Sequence, residues 1–97
     1  MSHDTFYVYI ITNKNNTTFY IGVTNNLERR MWEHRNEIND GFSKSYKLKK
    51  LVYYENFSEV KQAIAREKQL KNWHREWKPN LIKGLNDDFS DLSAEWC

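Results

Sequence analysis

Tyr9, Tyr20, Arg30, His34 and Glu67 are the side chains of this 97-residue chain best suited to work on a phosphate ester. Hydrolysis of a phosphodiester requires an activated water, neutralisation of charge on the phosphoryl oxygens and help for the departing oxygen. Arg30 can fork two donors onto a phosphate and stays charged at any working pH. Glu67 offers one carboxylate, which suits Mg²⁺, an ion that keeps several waters and often takes only one or two protein ligands. A phenol titrates near pH ~10, so Tyr9 serves as a base only where a metal or Arg30 favours its phenolate. Tyr20 can instead orient the water.

Each of these residues also has an ordinary structural role. Strand tyrosines commonly pack and make one hydrogen bond at the edge. Arg30 stands three and seven residues before Glu33 and Glu37, Glu67 four before Lys71, and His34 lies on an apolar stripe. Intrahelical pairs, a Glu67–Arg30 pair and a satisfied core histidine are the corresponding alternatives. The joint spacing of all five favours a site.

The elements that must position them are legible as hydrophobic periodicity. Phe6 to Thr12 is aromatic and β-branched, Asn13-Lys14-Asn15-Asn16 is a turn cluster, and Thr17 to Thr24 reads as the returning strand of a hairpin. Tyr9 and Tyr20 then occupy neighbouring strands. Gly22, inside the second strand, marks a bulge or a close approach by a ligand or another backbone. Asn25, with Glu28 three residues on, opens a helix over Leu27 to Asn39 whose inward stripe is Leu27, Met31, His34 and Ile38. Gly41 ends that region. A third strand covers Leu51 to Phe57, Ser58 caps the next helix, and Val60, Ala63, Ile64, Glu67, Leu70 and His74 share one side of it. Pro79 suits the first turn of a last helix to Leu85, with Trp73 and Trp77 as core anchors. The order β-β-α-β-α-α predicts an α+β domain with a small three-stranded, mainly antiparallel sheet flanked by helices.

Length and composition predict one domain over residues 1–97. No run is long and apolar enough to span a membrane, and the N-terminus lacks signal-peptide character, so the expected location is cytoplasmic, without a membrane partner. Cys97 is the only cysteine, which excludes an intramolecular disulfide and a cysteine-based zinc site. The net charge of +2 is uneven: residues 44–83 carry eleven Lys/Arg and four Asp/Glu, whereas 84–97 carry four acids and no base. Basic residues interleaved with aromatics suit a nucleic acid, and Gly22, Lys44, Lys47 and Lys71 are candidate contacts. A solvated lysine-rich helix face is the plain alternative. Residues 86–97 form an acidic tail in which Phe89, Leu92 and Trp96 are placed to dock on the body.

Tyr7-Val8-Tyr9, Tyr20-Ile21-Gly22, Arg30, His34 and Glu67 resemble the motif set of the GIY-YIG nuclease superfamily, over nearly the whole chain. The resemblance extends to its short stand-alone bacterial members, and in the catalytic module to the N-terminal catalytic domain of excision-repair endonucleases. It implies a divalent-metal-dependent endonuclease acting on nucleic acid, DNA ahead of RNA, in repair or processing. It also implies Glu67 as ligand of one Mg²⁺ or Mn²⁺, Arg30 on the phosphate, Tyr9 as base, and Tyr20 and His34 ordering water and phosphate. The first motif departs from the family in having Tyr7 where a glycine is usual. The asparagine that the family places after the glutamate has two candidates here, Asn80 and Asn86, and its role is left unassigned. The contrasting expectations are a nucleic-acid-binding module that kept the fold without turnover, and a protein-interaction module using the acidic tail. With no appended recognition motif, a protein partner is the expected source of specificity.

Overall fold

A computed structural model of the chain describes residues 5–36, 47–72, 77–86 and 89–94, and of residues 77–80 the backbone alone. Strand β1, Phe6–Thr12, pairs antiparallel with β2, Phe19–Thr24, on one side and with β3, Lys50–Phe57, on the other, giving the order β2-β1-β3. The central strand is covered on both faces, so Val8 to Thr12 are buried without alternation. Helix α1 is Leu27–Arg35, α2 Val60–Asn72 and α3 Trp77–Leu85. This is the expected α+β order and sheet.

The hairpin loop explains why β2 starts at Phe19 rather than Thr17. The Asn13 carboxamide accepts the Thr17 and Thr18 backbone N–H groups at 2.8 and 3.3 Å, and donates to the Thr17 hydroxyl at 2.8 Å. Those amides are thus taken up by a turn. Asn16 sits at φ 57°, a left-handed conformation that asparagine tolerates.

The period of two in β1 divides the core into two layers. Val8 and Ile10 pack with Ile21, Val52, Tyr53, Ala63 and Leu70 of α2, and Ile82 of α3. Tyr9 and Ile11 point to the other face, with Leu27 and Met31 of α1, Leu48 and Leu51. A register shift sets Ile10 opposite Tyr53 but Ile11 opposite Leu51. Val52 is therefore the extra residue of a bulge, and this lets consecutive Val52 and Tyr53 join the same layer.

Two helix starts differ from expectation by one residue. The cap of α1 is Asn26, not Asn25: its side chain accepts the Arg29 N–H at 3.1 Å, while the Thr24 hydroxyl accepts Asn26 N–H at 3.1 Å. The bend is thereby fixed after Asn25. For α2 the bonding begins with Ala63 N–H on Glu59 C=O, which puts Glu59 rather than Ser58 at the cap position. Val60 and Ile64 leave the predicted inward stripe, at 42% and 39% exposure, because the buried line runs through Ala63 and Leu70 with Glu67 between them. The last helix begins two residues earlier than expected, and Pro79 still falls in its first turn. Ile38, Gly41, Lys44, Trp73, His74, Trp96 and the side chain of Trp77 lie outside the described residues.

Past α3 the chain returns to the sheet. Asn86 is buried, with its amide donating to Val52 and Ser90 carbonyls and its oxygen accepting from Ser90, so it is a structural hinge. Leu92 N–H donates to Leu51 C=O at 2.8 Å and Asp91 accepts Leu51 N–H at 3.1 Å. Leu92 and Phe89 dock on the two layers as the sequence predicts. Between α2 and β3, Arg66 forks onto Glu55 at 2.9 to 3.2 Å, and Glu55 also accepts from the Tyr53 hydroxyl. Burial opposes ionisation of Glu55, yet those hydrogen bonds hold its pKa below the usual carboxylate range.

Candidate active site

The α1 face of the hairpin gathers four of the five predicted residues. Tyr9 stands opposite Gly22, and Tyr20 opposite Ile11, so Tyr9 and Tyr20 point to the same side of the sheet. Helix α1 presents Arg30 and His34 one turn apart. The ring centroids of Tyr9, Tyr20 and His34 form a triangle with sides 6.4, 5.9 and 6.2 Å. The Tyr9 hydroxyl and His34 Nε2 are 3.2 Å apart, and with the imidazole proton on Nδ1 the phenol donates. Tyr7 continues the aromatic row by an edge contact with Tyr54 at 6.2 Å.

Gly22 has a steric reason to be glycine. A Cβ at this position would lie 2.6 Å from the Tyr9 hydroxyl oxygen and 2.7 Å from its ring carbon Cζ. The phenol of one strand occupies the space that a side chain on the next would fill, so what approaches this buried glycine is a side chain, rather than the ligand or second backbone expected of it. Gly22→Ala is therefore expected to cost roughly 1–3 kcal/mol by overpacking, measured by urea unfolding. The cost should fall to a few tenths in a Tyr9→Leu background, since the clash partner is gone. An unchanged cost would show that the strand, rather than Tyr9, requires glycine.

Electrostatics distinguish the partners. Tyr9 is 0% exposed, and burial raises its phenol well above the ordinary range while the Arg30 charge pulls the other way. Burial lowers His34, Arg30 lowers it further and Glu33 opposes, so the imidazole is neutral at pH 7. A neutral imidazole beside a protonated phenol is an acceptor waiting for a proton.

Arg30 makes its predicted intrahelical contact, Nε to Glu33 Oε1 at 3.4 Å, and Arg29 reaches the same carboxylate at 3.4 Å. These residues, with Thr24, Asn25 and Asn26, line a cavity of about 440 Å³ at the start of α1. Two guanidinium groups and the α1 N-terminus give this cavity anion-binding character. From the sequence Glu33 is visible only as an ion-pair partner; its joint hold on Arg29 and Arg30 follows from the i,i+4 and i,i+3 spacing.

Glu67 is not gathered with the others. It lies on α2, whose Ala63 and Leu70 pack on the opposite layer, beneath β1 and β2, and its carboxylate pairs with Lys71 at 2.9 Å. Lys71 is thus engaged in a helix pair. Lys47 opens onto a basic cleft at the far end of the sheet, together with Lys14, Lys49 and Lys50, which sequence reasoning does not single out. Their signal is positional: Lys50 pairs with Thr12, immediately before the hairpin turn that carries Lys14. Among the described residues there is no group of three His, Cys, Asp or Glu side chains able to cage a metal. One carboxylate still suits a hard cation completed by water and phosphate oxygens. Asn80 has no described side chain, and Asn86 is occupied in the hinge.

Among the described residues no helix is long and apolar enough to cross a membrane. The GIY-YIG catalytic domain family matches residues 5–80. A UPF0213 protein of Clostridium perfringens is 38% identical over 76 residues, covering 78% of this chain and 81% of its own. A UPF0213 protein of Staphylococcus haemolyticus is 35% identical over 77 residues, covering 79% and 93%. The solution NMR structure of a UPF0213 protein from Bacillus halodurans superposes with a TM-score of 0.57 at 21% identity, covering 96% of this chain and 99% of that one, and so shares its fold. With the second motif intact, and Tyr9, Arg30 and His34 meeting on one face, the chain belongs to the GIY-YIG nuclease superfamily and, within it, to the UPF0213 family.

Proposed function

We propose that the protein is a divalent-metal-dependent endonuclease that hydrolyses phosphodiester bonds of nucleic acid, DNA ahead of RNA, at the Tyr9–Tyr20–His34 cluster. The observation that carries this reading is the 3.2 Å contact between the Tyr9 hydroxyl and His34 Nε2 beside an arginine. In this reading a phosphate enters the cavity at the start of α1 and draws the Arg30 guanidinium onto its oxygens. Arg30 is 38% exposed and can follow the anion outward. That movement would open the approach to Tyr9, and half-buried Tyr20 would orient the water. The water gives its proton to the Tyr9 oxygen as the phenol passes its own to neutral His34 Nε2, so that no free phenolate is required.

Glu67, whose helix packs on the layer opposite Tyr9, would hold Mg²⁺ or Mn²⁺ for a phosphate that also reaches the α2 side of the β1–β2 hairpin, and the ion would there supply charge neutralisation at the phosphoryl oxygens and lower the pKa of water. For this the carboxylate exchanges its Lys71 partner for the cation. Cleavage of a panel of plasmid, branched and single-stranded substrates is expected to require added Mg²⁺ or Mn²⁺ and to stop with chelator. Glu67→Ala should raise the metal concentration needed for half-maximal rate about 10–100-fold. Wild type that cuts no faster than the variant at any metal concentration would overturn the nuclease reading and leave a nucleic-acid-binding member of the superfamily. A DNA-repair or processing role, cytoplasmic location and a specificity-giving protein partner belong to the same proposal.

A further inference from the structure

We infer that Asp91 and Ser93 are positioning residues for the candidate site: they clasp Arg35, in the last turn of α1, to the outer edge of β3 and so hold His34 against Tyr9, an inference that rests on the proposed part of His34 in the chemistry. The acidic tail thereby gains a role that its charge alone does not suggest.

The tail is first bound to the sheet. Strand β3 lies at the edge of the sheet, with β1 on its inner side. Leu51 N–H donates to Asp91 Oδ1 at 3.1 Å and Leu51 C=O accepts Leu92 N–H at 2.8 Å, so the tail brackets one residue of the strand from outside. Asp91 Oδ1 also accepts from Ser93 N–H at 3.0 Å and from the Ser93 hydroxyl at 2.7 Å, which folds the tail into a tight turn. Ala94 N–H donates to Asp91 C=O at 3.1 Å and closes that turn. Ser93 is fully buried there, and Leu92 packs on the layer of Tyr9, Ile11, Met31 and Leu51.

The turn then grips α1. Arg35 Nη2 donates to both the Ser93 carbonyl and the Ser93 hydroxyl oxygen, and Asp91 Oδ2 stands 3.8 Å from the same nitrogen. A helix of nine residues is marginal by itself, so its last turn needs tertiary support. The Asn36 side chain donates to Trp32 C=O at 2.8 Å, which closes the helix on itself without fixing it to the sheet. The start of α1 is pinned through Thr24 and Asn26, and its end through Arg35, one residue beyond His34. Leu51, the residue that the tail brackets, pairs with Ile11, two positions from Tyr9 on the same strand and in the same layer. Strand β1, strand β3, the tail and α1 thus form a closed circuit around the Tyr9–His34 contact.

The test reads His34 itself, apart from cleavage. The full chain and its Asp91→Ala variant are titrated by NMR on the histidine ring protons, with His34→Gln identifying the signal among the three histidines. His34 is faced by Tyr9 and Tyr20 from the hairpin and by Arg30 and Glu33 on its own helix, and none of these is altered. With the clasp released the imidazole gains water, so its pKa should rise toward 6.5. Loss of the Asp91 charge acts in the opposite direction, because removing an anion lowers the pKa of an imidazole, so a rise reports lost burial. Ile82→Val, in the other core layer, is the stability control and should lower the urea midpoint without moving His34. In cleavage, Asp91→Ala should lower kcat on the order of 10²-fold with KM little changed, as expected for a displaced proton acceptor. An unmoved or falling pKa in Asp91→Ala, an equal rise in Ile82→Val, or a rise that leaves kcat of a cutting enzyme unchanged overturns the inference. The predicted rise in a protein that never cuts sustains the clasp while the nuclease reading falls. If Asp91→Ala does not fold, Ser93→Ala removes one Arg35 acceptor without changing charge and should raise the His34 pKa in the same direction; no rise there overturns the inference.

Discussion

Replacing Arg30 with alanine is expected to lower kcat for phosphodiester cleavage by about 10²–10³, the scale seen when one preorganised donor to a developing oxyanion is removed. Arg30 is set up for that role by three observations. It lies on the first turns of α1 in a cavity shared with Arg29, the Glu33 carboxylate orients its Nε, and its charge is felt by both Tyr9 and His34. The side chain is half exposed, so its loss should leave the unfolding midpoint nearly unchanged. The assay is single-turnover cleavage at saturating Mn²⁺ beside a urea titration. Arg30→Lys should recover little, because an ammonium cannot present a planar fork to two phosphoryl oxygens. Arg29→Ala is the internal control: it reaches the same carboxylate from the more exposed side and should affect binding more than turnover. Equal kcat losses for Arg29→Ala and Arg30→Ala would assign the arginines to general electrostatic attraction and remove Arg30 from the chemistry.

What can be read from the sequence is set by local physics. The hairpin, α1 and the antiparallel sheet follow from alternation, turn chemistry and 3.6-residue spacing, and these put Tyr9 and Tyr20 on neighbouring strands and His34 on the inward stripe of the next helix; the register that turns them to one face comes from the structure. Boundaries slip where a side chain captures a backbone amide out of turn: Asn13 delays β2, and Thr24 moves the α1 cap to Asn26. The position of Glu67 is not legible. Glu67 reads correctly as lying between buried Ala63 and Leu70, but the layer on which α2 packs depends on chirality and on which face of β1 is filled, and neither is encoded in the spacing of Glu67 from its neighbours. The bulge at Val52 is invisible for a similar reason, since it arises from two consecutive apolar residues both being drawn into the α2 layer. The lysine cleft escapes a sequence reading because its members are scattered from Lys14 to Lys50 and meet only through strand register.

The Tyr9→Phe variant separates packing from proton transfer at the same residue. The ring fills the layer with Ile11, Met31 and Leu51, and phenylalanine keeps that contact. Loss of the hydroxyl leaves buried His34 Nε2 short of the one Tyr9 contact, a cost of about 1–3 kcal/mol, or several degrees in Tm for a domain of this size. Cleavage should fall much further, by about 10²–10⁴, if water reaches the imidazole only through the phenol oxygen. The pH profile gives an independent readout. Burial and Arg30 hold His34 below its ordinary pKa of 6.5, so the wild-type kcat/KM should stay level as pH falls to 6.5 and decline only below it, as the imidazole takes a proton and ceases to accept from Tyr9. The raised phenol pKa means that no rising limb should enter from tyrosine ionisation between pH 7 and 9. In Tyr9→Phe the acid decline should vanish from the residual rate, because His34 no longer communicates with the water. A residual rate that retains the same decline would mean that His34 acts on the substrate directly, and that Tyr9 serves to fill the space opposite Gly22.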